Sequence, residues 1–258
     1  MTTRLQGEQC YNIAWIAALH IERAAAIALL DHRHEPPDGF AQHESDKNSY
    51  TWGRSGKHNI VIASLPEGMY GTISAATTVT YLVSSLPHLR IGLLVGIGGG
   101  IAWPDRDQDI RLGDVVVSCP DRISGGVIQY DIGKTEADGV RELKGSLNMP
   151  PQILLHAMAS LRAEHEIEPS SIPKILAEML QNKPHMTRRK TNYTHPGIEN
   201  DRLFASEYTH TGSSNCDVCD ASQEIKRGVR ETSDPKIHYG IIASGNTLVW
   251  NRARHISS

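Results

Sequence analysis

Residues 91–100 read IGLLVGIGGG, and no other stretch constrains the fold of this chain as much. An apolar run, IGLLV, passes directly into glycines at Gly96, Gly98, Gly99 and Gly100. A continuous leucine and β-branched run closed by glycine reads as a strand buried on both faces, as found inside a helix-covered α/β sheet. In such sheets ligands bind beyond the carboxyl ends of the strands. Glycines there bring a ligand close to the main chain and let it take positive φ. The stretch therefore predicts a strand ending in a small-molecule pocket; the competing reading is a glycine-rich turn that serves packing alone. Two phosphate cradles are disfavoured by spacing. The third glycine of a GxGxxG fingerprint would fall on Ile101, and no Gly-Lys-Ser/Thr follows.

The chain's 258 residues suggest one large α/β domain or two small ones. A formal net charge of −3 does not suggest a nucleic-acid or membrane-surface binder. No apolar run reaches the roughly 18 residues that span a bilayer, and MTTRLQGEQCYN lacks a signal-peptide pattern. Four cysteines in a chain of this length do not make a disulfide scaffold. The expectation is a reducing, cytoplasmic setting.

Along the chain, residues 11–19 (YNIAWIAAL) predict a first strand, and 23–31 (RAAAIALLD) an alanine- and leucine-rich helix. Glu22 thus falls where the first strand turns into the first helix, at the sheet edge that would carry the glycine cluster. Its two readings are a site carboxylate and a helix-start carboxylate favoured by the macrodipole. Residues 32–49 read as a polar loop, 50–54 and 58–65 as a hairpin turning at Ser55-Gly56, and 72–86 as a helix ended by Pro87. Strands are expected at 91–95, 115–118 and 237–243, in one sheet with 11–19 and 60–65, and a short strand at 125–130. Residues 131–147 read as a loop, 152–164 and 172–181 as helices, and 183–232 as a long polar insertion.

These landmarks coincide in a pattern. Ile16-Ala17-Ala18-Leu19 before Glu22, Gly68 and Gly71, VGIGGG, DIRLGDVVVS, GGVIQYD and IHYGIIASGN together resemble the purine and uridine phosphorylase and nucleosidase superfamily. They are most similar to its fungal nucleoside-phosphorylase-like domains. The resemblance covers roughly residues 10–250. It implies a phosphorylase/hydrolase-like three-layer α/β/α sandwich on a mixed central sheet, with a single domain over 10–258. It also implies hydrolytic cleavage of the N-glycosidic bond of a purine nucleoside or nucleotide, without a required cofactor, in a chain that forms homo-oligomers. In the nucleosidase branch the glutamate after the first strand activates water, and Glu22 is its match here. Ala18 and the main chain at Ile97, Gly98 and Gly99 would line the substrate, and Asn246, Thr247, Leu248 and Val249 match the segment that holds the base. The chain lacks the Gly-Asp-Pro-x-Arg loop of phosphorylases at Glu22, which tilts the reading toward hydrolysis and leaves phosphorolysis as an alternative. After SGN the superfamily carries a further helix and strand with a Met-Glu pair and an aspartate. Residues 250–258, WNRARHISS, match none of it, and Asp234 is the last acidic residue. The domain is therefore expected to be incomplete at its C-terminus, so a catalytically inactive nucleoside-binding or oligomerisation module is the rival reading.

Cys216 and Cys219 form a CxxC inside the polar insertion, with His195 and His210 upstream. Such a pair can supply half of a structural zinc site, which would also explain how so polar a segment becomes ordered. The alternative is two free thiols. A thioredoxin-like redox role is disfavoured, because the strand–helix context is missing.

Overall fold

The computed structural model describes residues 3–106, 108–131, 133–135, 141–143, 147–188, 193–209 and 216–246. The chain divides into two compact units, Met1–Gly98 and Gly99–Ser258, and the division falls inside the glycine cluster.

In the first unit, β1 (Ile13–Ala17) is flanked by parallel neighbours on both sides. β4 (His58–Ser64) lies on one side with Ile60 opposite Ile13, and β5 (Ile91–Leu94) on the other with Ile91 opposite Ile13. β3 (Thr51–Ser55) folds back antiparallel on β4 at the expected turn, and β2 (His32–His34) pairs antiparallel with β3. The result is a mixed five-stranded sheet in the order β2-β3-β4-β1-β5. Side chains alternate across a strand, and both faces of this sheet are apolar. Ile60 and Ile62, with Ile13 and Trp15 beside them, meet Ala26 and Ile27 of α1 (His20–Ala28). Val61, Ala63, Ala14 and Ile16 meet Leu82 of α2 (Thr72–Ser85), and Leu86 just beyond it. The unit is thus a three-layer α/β/α sandwich, as expected. Deleting a fully packed side chain such as Leu82 by substitution with Ala costs about 2–5 kcal/mol.

The segment expected as a polar loop holds β2 and a buried anchor. Asp46, 5% exposed, accepts from Asn48 N and from the hydroxyls of Tyr50 and Ser85. Asn48 Nδ2 in turn donates to Thr78 O, so residues 42–50 are fastened onto α2 by polar groups that hydrophobic patterning does not register.

In the second unit, β6 (Val115–Ser118) pairs parallel with β10 (Ile237–Gly240), and β7 (Val127–Gln129) with β11 (Ile242–Ser244). Two expectations are corrected here. The strand expected over 237–243 breaks at Ile241 into two strands with different partners. Moreover, 115–118 and 237–240 form a ladder of their own and are not strands of the five-stranded sheet. An apolar run shows that a strand forms; it carries no record of which strand it pairs with. The expected loop over 131–147 also contains a short antiparallel pair, β8 (Gly133–Thr135) and β9 (Arg141–Leu143). The expected helices appear as α3 (Gln152–His165) and α4 (Ile172–Asn182).

The described part of the polar insertion is ordered by ion pairs. Asp114, with a side chain 1% exposed, accepts from both terminal nitrogens of Arg230 at 2.7 Å, from the Arg111 and Lys236 amides at 2.9 Å, and sits 2.9 Å from His238 Nε2. Arg111 and Arg227 both pair with Asp109 and Asp201. Three aspartates and three arginines therefore clasp Asp201, Arg227 and Arg230 onto residues 109–114. Such a cluster is costly to desolvate, and breaking it from one side is costlier still. No helix among the described residues is long and apolar enough to cross a membrane.

Candidate functional site

The carboxyl ends of β1, β4 and β5 lie along one edge of the first unit, and Glu22 stands there in the first turn of α1. Its Oε2 accepts from Ala18 N at 2.7 Å and Leu19 N at 2.8 Å. Its Oε1 accepts from Ile97 N at 2.7 Å. The two bonds to Oε2 pair amides left without partners where strand gives way to helix, a glutamate at the third helical position reaching back to the cap. The bond to Oε1 ties that turn to the loop after β5. Glu22 is 8% exposed, whereas Ile97 beside it is 72% exposed. The carboxylate is thus held inside the wall of an open edge.

The glycine cluster divides by function. A Cβ on Gly96 would lie 2.7 Å from Glu22 Oε1, so only glycine lets the carboxylate reach Ile97. A Cβ on Gly98 or Gly99 would meet nothing within 4 Å, which leaves main chain open to approach. Positive φ is not the reason for these glycines. Among the described residues that conformation falls on Gly68 (φ 76) and Gly71 (φ 91), in the loop between β4 and α2, and on glycines elsewhere.

Sequence reasoning missed Arg23. Its guanidinium donates to Ser64 Oγ at the end of β4, to Thr51 Oγ1 at the start of β3 and to Ser49 O, which fixes the first turn of α1 against the sheet edge. Burial first, then Arg33, pushes its pKa down. In sequence it reads as an ordinary solvated helix arginine.

Asn246 belongs to the second unit, where its N and Nδ2 donate to Asp131 Oδ2 at 2.6 and 3.0 Å. The Asn246 amide foremost, then the Gln129 side chain and the Asn246 side chain, hold Asp131 below the usual carboxylate range. Thr247, Leu248 and Val249 lie outside the described residues.

No family model matches the chain. It is 40% identical over 239 residues, 93% of its own length, to a nucleotide-binding leucine-rich repeat (NLR)-like protein of Hyaloscypha variabilis. It spans 22% of that protein's length. Among solved structures, a futalosine hydrolase mutant of Helicobacter pylori matches 60% of this chain and 62% of its own, at 17% identity and a TM-score of 0.37.

The CxxC sits on a tight turn in which Cys219 N donates to Cys216 O at 3.2 Å. No group of three or more His, Cys, Asp or Glu gathers with metal-binding geometry among the described residues. His195 lies beside Gly113, and its Nδ1 accepts from Gly197 N. His210 is outside the described residues.

Proposed function

We propose that the first unit binds a purine nucleoside or nucleotide at the carboxyl edge of β1, β4 and β5, and that Glu22 positions the water that hydrolyses its N-glycosidic bond. One observation carries this reading: a buried carboxylate is held by three main-chain amides beside a glycine loop whose backbone is open. A carboxylate has about four acceptor positions. Three are filled by Ala18, Leu19 and Ile97, which leaves one on Oε1 for a water. That water gives its oxygen to the anomeric carbon and a proton to Glu22, the bond to the base nitrogen breaks, the leaving base takes one proton from solvent, and Glu22 returns its proton to solvent. The sugar passes through an oxocarbenium-like state that the nearby carboxylate stabilises. Water and a carboxylate suffice for this chemistry, so no cofactor is called for. The same reading extends to work in the cytoplasm and to self-association.

A second reading is favoured by the same geometry. Because three of its acceptor positions serve its own backbone, Glu22 fits equally a rigid, non-catalytic nucleoside-binding module, such as a sensor segment within a longer protein of the kind the 22% coverage describes. The deciding experiment incubates the full chain with adenosine, inosine, AMP and ATP, with and without phosphate, and follows free purine by chromatography. Phosphate-independent release supports hydrolysis. Release only with phosphate replaces hydrolysis by phosphorolysis. Binding by calorimetry without release leaves the binding module.

A further inference from the structure

We propose that Cys216 and Cys219 are a reversible dithiol/disulfide couple that locks the tight turn over residues 216–219. Two features of the turn support it. The hydrogen bond from Cys219 N to Cys216 O closes a β-turn over residues 216–219, and such a turn holds its end Cα atoms within about 7 Å. A disulfide needs about 4.4–6.8 Å, so the backbone is already set for the bond. The turn is also held at both ends. Arg202 Nη1 donates to Cys216 O at 2.7 Å, and Asp220 N donates to the Tyr208 hydroxyl at 2.8 Å. Arg202 is itself fixed by Glu224 at 2.8 Å, and its guanidinium lies 4.8 Å from the centre of the Phe204 ring, which stacks on Tyr208.

The exposures assign the order of events. Cys219 is buried at 8% exposure and Cys216 is half-buried, so a small disulfide such as oxidised glutathione reaches Cys216 first. The Cys216 thiolate attacks one glutathione sulfur, the glutathione S–S bond breaks, and one glutathione thiolate leaves. Cys219, having given its proton to solvent, attacks the mixed disulfide at Cys216, and the second glutathione leaves. In sum the protein loses two electrons and two protons, and one glutathione disulfide becomes two thiols. Burial first, then the neighbouring thiol, pushes the Cys216 pKa up, so little thiolate exists near neutral pH and the exchange accelerates as pH rises. This is a staple with slow chemistry, without the strand–helix setting of a thioredoxin-like catalyst. Cys10 and Cys119 are the other two cysteines, both free.

The test takes the full chain purified with reductant, removes the reductant, and titrates it with reduced and oxidised glutathione. Thiols are counted after unfolding, and peptides are mapped by mass spectrometry. The expected result is loss of two of the four thiols, with the peptide carrying 216–219 lighter by two hydrogens and restored by dithiothreitol. The rate should rise several-fold per pH unit between pH 7 and 9. Cys216→Ser should abolish the loss and Cys219→Ser should stop at one glutathione held on Cys216, while the double variant Cys10→Ser/Cys119→Ser keeps the loss of two. Glutathione remaining on single cysteines of the parent chain would overturn the couple. So would a pair that stays reduced at every ratio, or bound zinc that protects both thiols until a chelator removes it.

Discussion

Replacing Glu22 by glutamine tests the first unit most directly, because the side chain keeps its shape and loses an acceptor. The carbonyl oxygen can take the position of Oε2 and keep the Ala18 and Leu19 amides. The amide nitrogen then stands 2.7 Å from Ile97 N, where a donor faces a donor. One hydrogen bond to a charged group is lost, worth about 1.5–3 kcal/mol. Removal of a negative charge from the start of α1 adds about 0.3–1 kcal/mol. The sum is about 2–4 kcal/mol. In a unit of this size each kcal/mol moves the melting temperature by roughly 4–8 °C, so Glu22→Gln should melt at least about 8 °C below the parent chain. That is larger than a helix-dipole effect alone produces. Circular dichroism follows the melt, and hydrogen exchange of the peptide covering 91–98 reads the Ile97 amide itself. Melting within about 1 °C of the parent, with unchanged exchange at Ile97, would refute the three-amide arrangement. Activity must then be compared below the variant's melt, where loss of purine release beyond the unfolded fraction measures chemistry and not folding.

Gly96→Ala, which displaces the carboxylate without changing its charge, should lower both stability and purine release. Gly98→Ala should leave the melt unchanged and weaken only ligand binding, as calorimetry would show. Asp114→Ala strands Arg230 and should cost the second unit about 3–5 kcal/mol in urea unfolding; a loss under 1 kcal/mol would show that the cluster does not order the insertion. His34, 2.8 Å from the Tyr11 hydroxyl, is pushed below its usual pKa by burial, then Arg54 and His32. The unfolded chain therefore takes up this proton first, and stability of the first unit falls as pH drops from about 6.5 through the folded-state value. His34→Gln should flatten that slope. Burial opposes the charge on Asp114, but Arg230, the Lys236 and Arg111 amides and His238 outweigh it and hold the carboxyl well below the usual range. Its stabilisation is therefore lost only below about pH 4, and unfolding monitored separately in the two units should show the two windows.

How far the sequence could be read follows from the range of each interaction. β1, α1, the hairpin and α2 are written in local periodicity, and all appear within a few residues of expectation. Glu22 was legible because a strand–helix junction and a glycine-closed strand point to the same edge. The difference between Gly96 and Gly98 was not, since it depends on where a side chain 74 residues before Gly96 comes to lie. Arg230 and Asp114 are 116 residues apart and each resembles an ordinary loop charge. Only their meeting shows that arginine and aspartate hold this polar segment.

The position of Glu22 also explains why structure and chemistry are hard to separate at this edge. The amides at Ala18, Leu19 and Ile97 belong to turns after two neighbouring parallel strands, and such turns leave N–H groups without partners in any sequence. A carboxylate answers them at once, so folding alone would favour an acid here. The same bonds fix its rotamer and leave one acceptor position on Oε1, which is what holding a water beneath a sugar requires. In the proposed reading, a residue placed for folding also serves to hold that water. Gly96 serves both: a carboxylate held in this one orientation leaves no room for a Cβ there, whether it holds the turn alone or a water as well.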